Sequence, residues 1–161
     1  MLRTLVVAVL TLAVSHNAHA ANYARALGVL ASLDGYNDSY AVGVAVGRKL
    51  PRLLPHLGVE GEFFKSFSKM RGKTSDLTFN KTAAFVTYSY PVEPRIYLNG
   101  KGGLRYAAFK DSVTGDNNDT GVDWGVGARL AFDHNRNVVL EFITSDENKF
   151  SQFAVGLQFF Y

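Results

Sequence analysis

Phe150-Ser-Gln-Phe-Ala-Val-Gly-Leu-Gln-Phe-Phe-Tyr161 closes the sequence, and its side chains sort by twos. Phe153, Val155, Leu157, Phe159 and Tyr161 fall on one face; Gln152, Ala154, Gly156, Gln158 and Phe160 fall on the other. A strand throws successive side chains to opposite faces. Large apolar groups on one face against small or polar groups on the other describe a strand whose outer surface meets lipid and whose inner surface lines a narrow polar space.

Working back from this stretch, seven further segments share its character. With it they span roughly 23–33, 39–49, 56–65, 81–91, 95–109, 120–132, 137–145 and 150–161, separated by clusters of Gly, Asp, Asn, Pro or Lys. In 95–109, Ile96, Leu98, Leu104 and Tyr106 oppose Tyr97, Asn99, Lys101 and Arg105. In 120–132, Val122, Trp124, Val126 and Leu130 oppose Asp123, Gly125, Gly127 and Arg129. In 56–65, Leu57, Val59 and Phe63 oppose Gly58, Glu60, Glu62 and Phe64, and in 137–145 Leu140 and Phe142 oppose Glu141. Glycines and charges share one face, as inside a barrel too narrow for bulky groups at every position. The expected fold is all-β: an eight-stranded antiparallel up-and-down transmembrane β-barrel.

The connectors supply an independent check. An even strand count leaves both termini on the periplasmic side, so the first, third, fifth and seventh connectors face outward. These are 34–38, 66–80, 110–119 and 145–149, while 50–55, 91–94 and 133–136 face inward. The two longest are outer and the shortest, Pro91-Val-Glu-Pro94, is inner, which is the asymmetry of bacterial barrels. Tyr23, Tyr40, Tyr88, Tyr90, Tyr106, Trp124, Phe132, Phe159 and Tyr161 are expected on the outward side near strand ends, as interfacial girdles.

The front of the chain agrees with export. Residues 1–20 carry one charge, Arg3, then an apolar run from Leu5 to Val14, then Ala18-His19-Ala20, a small-x-small cleavage site. The run is about half of the roughly 20 residues a spanning helix needs. Residues 1–20 are therefore expected to be a cleaved signal peptide and 21–161 the barrel domain. Losing Arg3 changes 17 basic residues to 16 against 14 acidic ones, a mature net charge of +2 with His neutral. That balance gives no reason to expect nucleic acid. Without cysteine there is neither a disulfide framework nor a thiolate metal site.

The inner face collects Glu60, Glu62, Lys101, Arg105, Asp123, Arg129 and Glu141. In a narrow interior each charge needs a partner. Two states fit these residues: a salt-bridge plug that closes the lumen, favoured because eight strands enclose only enough room for side chains, and a gated polar path in which the pairs exchange. Outside, the 66–80 connector and its approach bring Lys65, Lys69, Arg71 and Lys73 among Phe64, Phe67 and Met70. This mixture can grip lipopolysaccharide phosphates, a polyanionic glycan or a host protein, or can simply be a solvated loop. Asp116-x-Asn118 opens like a calcium loop, but Gly127 stands where its last carboxylate belongs, so no metal is expected. No cofactor is expected either. The mature histidines, His56 and His134, both fall at periplasmic ends, away from any outer serine, and no enzyme activity is expected.

The ending, with Gly156, Phe159 and Tyr161 in its glycine and aromatic places, resembles the carboxy-terminal insertion signal of bacterial outer-membrane barrels. Together with Gly43-Val-Ala-Val-Gly47 and Gly58-Val-Glu-Gly-Glu62 it makes the mature chain similar to the small eight-stranded outer-membrane proteins: the OmpA transmembrane domain, the OmpX/Ail group and the opacity-like porin family. The resemblance implies a monomer of the bacterial outer membrane that meets the barrel-assembly machinery, outer-membrane lipids and lipopolysaccharide. It implies a structural or adhesin-like role, or a narrow channel, and carries no catalytic residue.

Overall fold

The computed structural model describes residues 22–72, 75–113, 115–145 and 150–161. The signal-peptide expectation for 1–20 and the loop residue Lys73 lie outside them. Nine strands follow in chain order: β1 (Asn22–Ser32), β2 (Ser39–Lys49), β3 (Leu57–Ser66), β4 (Met70–Arg71), β5 (Asp76–Glu93), β6 (Ile96–Asp111), β7 (Gly115–Ala131), β8 (Arg136–Ser145) and β9 (Ser151–Phe160). Each long strand pairs antiparallel with its chain neighbour; β1 pairs β9, and β3 pairs β5 across the interruption of β4. Eight long strands thus close a ring with no free edge, and β4 is a two-residue addition on its outer rim, pairing with Leu77 and Asp76.

The alternation seen in the sequence is the burial pattern of the strands. In β9, Gln152, Ala154 and Gln158 are buried, while Phe153, Val155, Leu157 and Phe159 are exposed. The outward set is large and apolar all the way round, from Val42 and Val44 to Leu98, Val126 and Phe142. Such a surface is tolerable only against lipid. Small residues along β2 make room for large ones beside them. A Cβ on Gly43 would stand 2.0 Å from the Phe64 ring, and one on Gly47 would stand 2.2 Å from the Tyr23 ring.

Three expectations need correction. Tyr23 is not a girdle residue: it is 3% exposed inside the barrel, whereas Tyr40, Tyr88, Tyr90, Trp124, Phe132, Phe159 and Tyr161 do face outward. Residues 110–119 are not an open loop. β6 and β7 continue as a two-stranded ribbon, Lys110 opposite Asp116 and Asp111 opposite Gly115, whose φ of 87° suits the tight turn. The two strands satisfy one another's backbone groups, so pairing outlasts the barrel wall even where the residues are polar. By the same reasoning β5 starts at Asp76 rather than 81, within the expected 66–80 connector.

The interior has two storeys. Toward the outer side, Leu27, Val29, Phe64, Met70, Leu77, Phe79, Phe109 and Phe150 form one apolar cluster. Phe150 meets Phe79 edge-on at 5.2 Å and Phe109 at 6.0 Å. Below it, toward the periplasmic side, the lumen is ionic.

Candidate functional site

The ionic storey is built from inward positions of six strands and separates into two clusters. In the lower one, Arg25 of β1 places Nη1 2.6 Å from Glu141 and 3.0 Å from Glu60, while its Nε donates to Gln158 at 2.9 Å. Lys101 of β6 places its ammonium against Glu62, 2.6 Å from Glu141 and 3.4 Å from Glu60. Carboxylate oxygens of Glu60, Glu62 and Glu141 lie within 4.8 Å of one another, close enough to hold a metal ion, but the Lys101 ammonium contacts all three.

The upper cluster centres on Asp123 of β7. Lys81 Nζ stands 2.6 Å from its Oδ2 and Arg105 Nε 2.8 Å from its Oδ1, both ion pairs. Ser145 donates to Asp123 at 2.5 Å, Lys81 donates to Gln152 at 2.5 Å, and Arg105 Nη1 reaches Asp119 at 2.5 Å. The fifth lumen cation stands apart. Arg129 lies over the Tyr97 ring at 4.4 Å, and no acid pairs with it among the described residues.

All seven residues expected to face the lumen are buried there, but they are not one network: Glu60, Glu62, Lys101 and Glu141 meet, Arg105 and Asp123 meet, and Arg129 joins neither. Sequence reasoning missed Arg25, Lys81 and Asp119. Placing Tyr23 outward carries every second residue of β1 with it, Arg25 included, because a one-residue slip flips a whole strand. Lys81 was hidden at a supposed strand end and Asp119 in a supposed loop. With them, four cations pair with five acids and Arg129 stands beside them, where the expected set held three cations and four acids.

On the outer rim Lys65, Lys69 and Arg71 are exposed, and Lys69 pairs with Asp76 at 3.3 Å. Beside them Tyr40 and Phe67 stack at 6.4 Å, both well exposed. At the other end of the design, Gly156 faces inward against the Ala26 backbone, while Phe159 and Tyr161 face outward. His56 packs edge-on to Tyr88 at 6.4 Å and accepts the Ser89 backbone N–H through its carbonyl oxygen at 3.0 Å; among the described residues neither the His56 nor the His134 imidazole pairs with a serine hydroxyl or a carboxylate.

A closed antiparallel barrel, apolar outside and filled inside, defines a β-barrel membrane protein of the outer-membrane kind. The family model for the outer membrane protein beta-barrel domain matches residues 4–159, and the chain belongs to that family. Its place is the bacterial outer membrane. No curated protein sequence matches the chain. Among solved structures it is similar to Ail, the attachment invasion locus protein of Yersinia pestis (15% identity, 88% of this chain and 97% of that one, TM-score 0.62). It is also similar to Neisserial surface protein A (14%, 90% and 99%, TM-score 0.65) and to the N-terminal β-barrel domain of Pseudomonas aeruginosa OprF (13%, 89% and 100%, TM-score 0.64). At these identities the likeness is one of fold.

Proposed function

We propose that this is a non-enzymatic, monomeric barrel whose lumen is closed by side chains and whose outer rim carries its interactions, in the manner of a structural or adhesin-like envelope protein. The filled lumen supports this most directly. An apolar storey of Phe64, Phe79, Phe109 and Phe150 stands above an ion-paired storey, so an ion crossing would have to displace both. The rim supports the second half of the reading. Lys65, Lys69 and Arg71, with Lys73 in the same connector, set cations beside the Tyr40–Phe67 stack, a pairing suited to the phosphates of lipopolysaccharide or to a host or surface polyanion. Ail, a neighbour in fold, has been solved in complex with the heparin analogue sucrose octasulfate. Residues 1–20 are proposed to be removed on export, and Gly156, Phe159 and Tyr161 to be read by the assembly machinery.

The test has two arms. The refolded mature protein should be silent in a planar bilayer, and should bind sucrose octasulfate in a way that the combined change Lys65→Glu, Lys69→Glu and Arg71→Glu abolishes. Unaltered binding in that variant would remove the rim from the reading. A narrow channel for ions or small solutes is the second reading, favoured by cavities of about 480 Å³ and 340 Å³ that enter the barrel from its two mouths. Reproducible conductance steps that change on Glu62→Gln would make it the first.

A further inference from the structure

Among the described residues of the ionic storey, one cation has no acid paired with it, and it lines the larger of these cavities. Arg129 is 3% exposed, its Nε has no hydrogen-bond partner among the described residues, and its guanidinium is held between the rings of Tyr97 (4.4 Å) and Phe160 (5.9 Å). A buried guanidinium is costly unless something answers its charge, and ring faces answer only part of it. Two more cations line the same cavity: Lys49, whose ammonium sits 4.8 Å over Phe160, and the exposed Arg95 at the β5–β6 turn. Asp133 is the cavity's acid, but its carboxylate is already engaged. Oδ1 accepts from the backbone N–H groups of Asn135 and Arg136 at 2.8 Å each, and Oδ2 accepts from Arg136 Nε at 2.9 Å. The cavity therefore presents a positive, aromatic-walled mouth to the periplasm.

We propose that this periplasmic mouth is a binding site for a phosphate group, held by Lys49, Arg95 and Arg129. Three cations with several donors suit a tetrahedral oxyanion better than they suit one another, and the guanidinium fork can make two parallel bonds to phosphate oxygens. The cavity volume of about 480 Å³ admits inorganic phosphate or a small phosphate monoester. The headgroup of a periplasmic-leaflet phospholipid offers the same group from the rim.

The experiment is titration of the refolded mature protein, in zwitterionic micelles, with inorganic phosphate by calorimetry. In parallel, phosphorus NMR is recorded on the protein in phosphatidylglycerol nanodiscs. Saturable phosphate binding that weakens at least tenfold with Lys49→Gln and with Arg95→Gln, and again with added salt, supports the site and a soluble source. A headgroup signal broadened by the natural chain but not by these two variants supports the site with lipid as the source. Both variants change accessible side chains and leave the buried Arg129 in place, so folding stays intact; Arg129→Gln is the sharper variant where it folds. Silence in both arms, or binding indifferent to both variants, overturns the proposal.

Discussion

The outer and periplasmic halves of the lumen fill the same narrow tube by different physics. Above, Phe150 packs edge to face on Phe79 and on Phe109, which tilt against one another, and each contributes through area and contact. Below, Arg25, Lys101 and the three glutamates contribute only as a set, because each charge has left water for partners that must all be present. The difference lies in how damage spreads: an apolar plug loses what is cut from it, whereas an ionic plug also suffers from what is left behind.

The comparison can be broken most severely at Asp123. Asp123→Ala strands both Lys81 and Arg105 without their shared carboxylate and should cost about 5 kcal/mol. Urea unfolding from phospholipid vesicles, followed by the lipid-facing Trp124, measures this. Lys101→Met should cost about 4 kcal/mol by leaving three glutamates to one guanidinium. Adding Glu62→Gln should recover about 2 kcal/mol of it, a coupling that a double-mutant cycle reads directly. In the apolar storey Phe79→Ala should cost about 3 kcal/mol through the cavity it opens, with no such recovery from changing a second residue. If Phe79 and Phe109 proved as strongly coupled as Lys101 and Glu62, the distinction between the storeys would fail.

The smallest effect belongs to the Asp133 turn. The backbone N–H groups of Asn135, then of Arg136, and the Arg136 guanidinium hold the Asp133 carboxyl below the ordinary aspartate range. Its contribution to the turn is therefore complete above the ordinary value and disappears as pH falls through the lowered one. Amide exchange at 134–136 should quicken only under strongly acidic conditions, and Asp133→Asn should remove that pH dependence.

Much of this architecture was legible because period-two alternation reports inside and outside directly. The β9, β7 and β6 faces could be assigned from charges and glycines alone. Alternation carries no height, however, so nothing in the sequence separated Phe64, two residues from Glu62 on the same face, into a different storey. Nor does it say which cation meets which acid: strand tilt and stagger bring Arg25 of β1 to Glu60 of β3 and Glu141 of β8. Arg129 is the instructive case. Its type and face suggested an ion pair, but the ring of Tyr97, directly opposite on β6, lies beneath it instead.

The seam between β1 and β9, running from Tyr23 opposite Phe160 to Ser32 opposite Ser151, sets a timetable. Hairpins such as β6–β7 join neighbours in the chain and can form early, whereas the seam joins its two ends and carries the greatest loop-closure entropy. Arg25 cannot meet Gln158 or Glu141 until that closure, so the lower ionic cluster is completed only at the last step. A chain stalled one strand short would hold an open edge, with Arg25 answered by Glu60 alone.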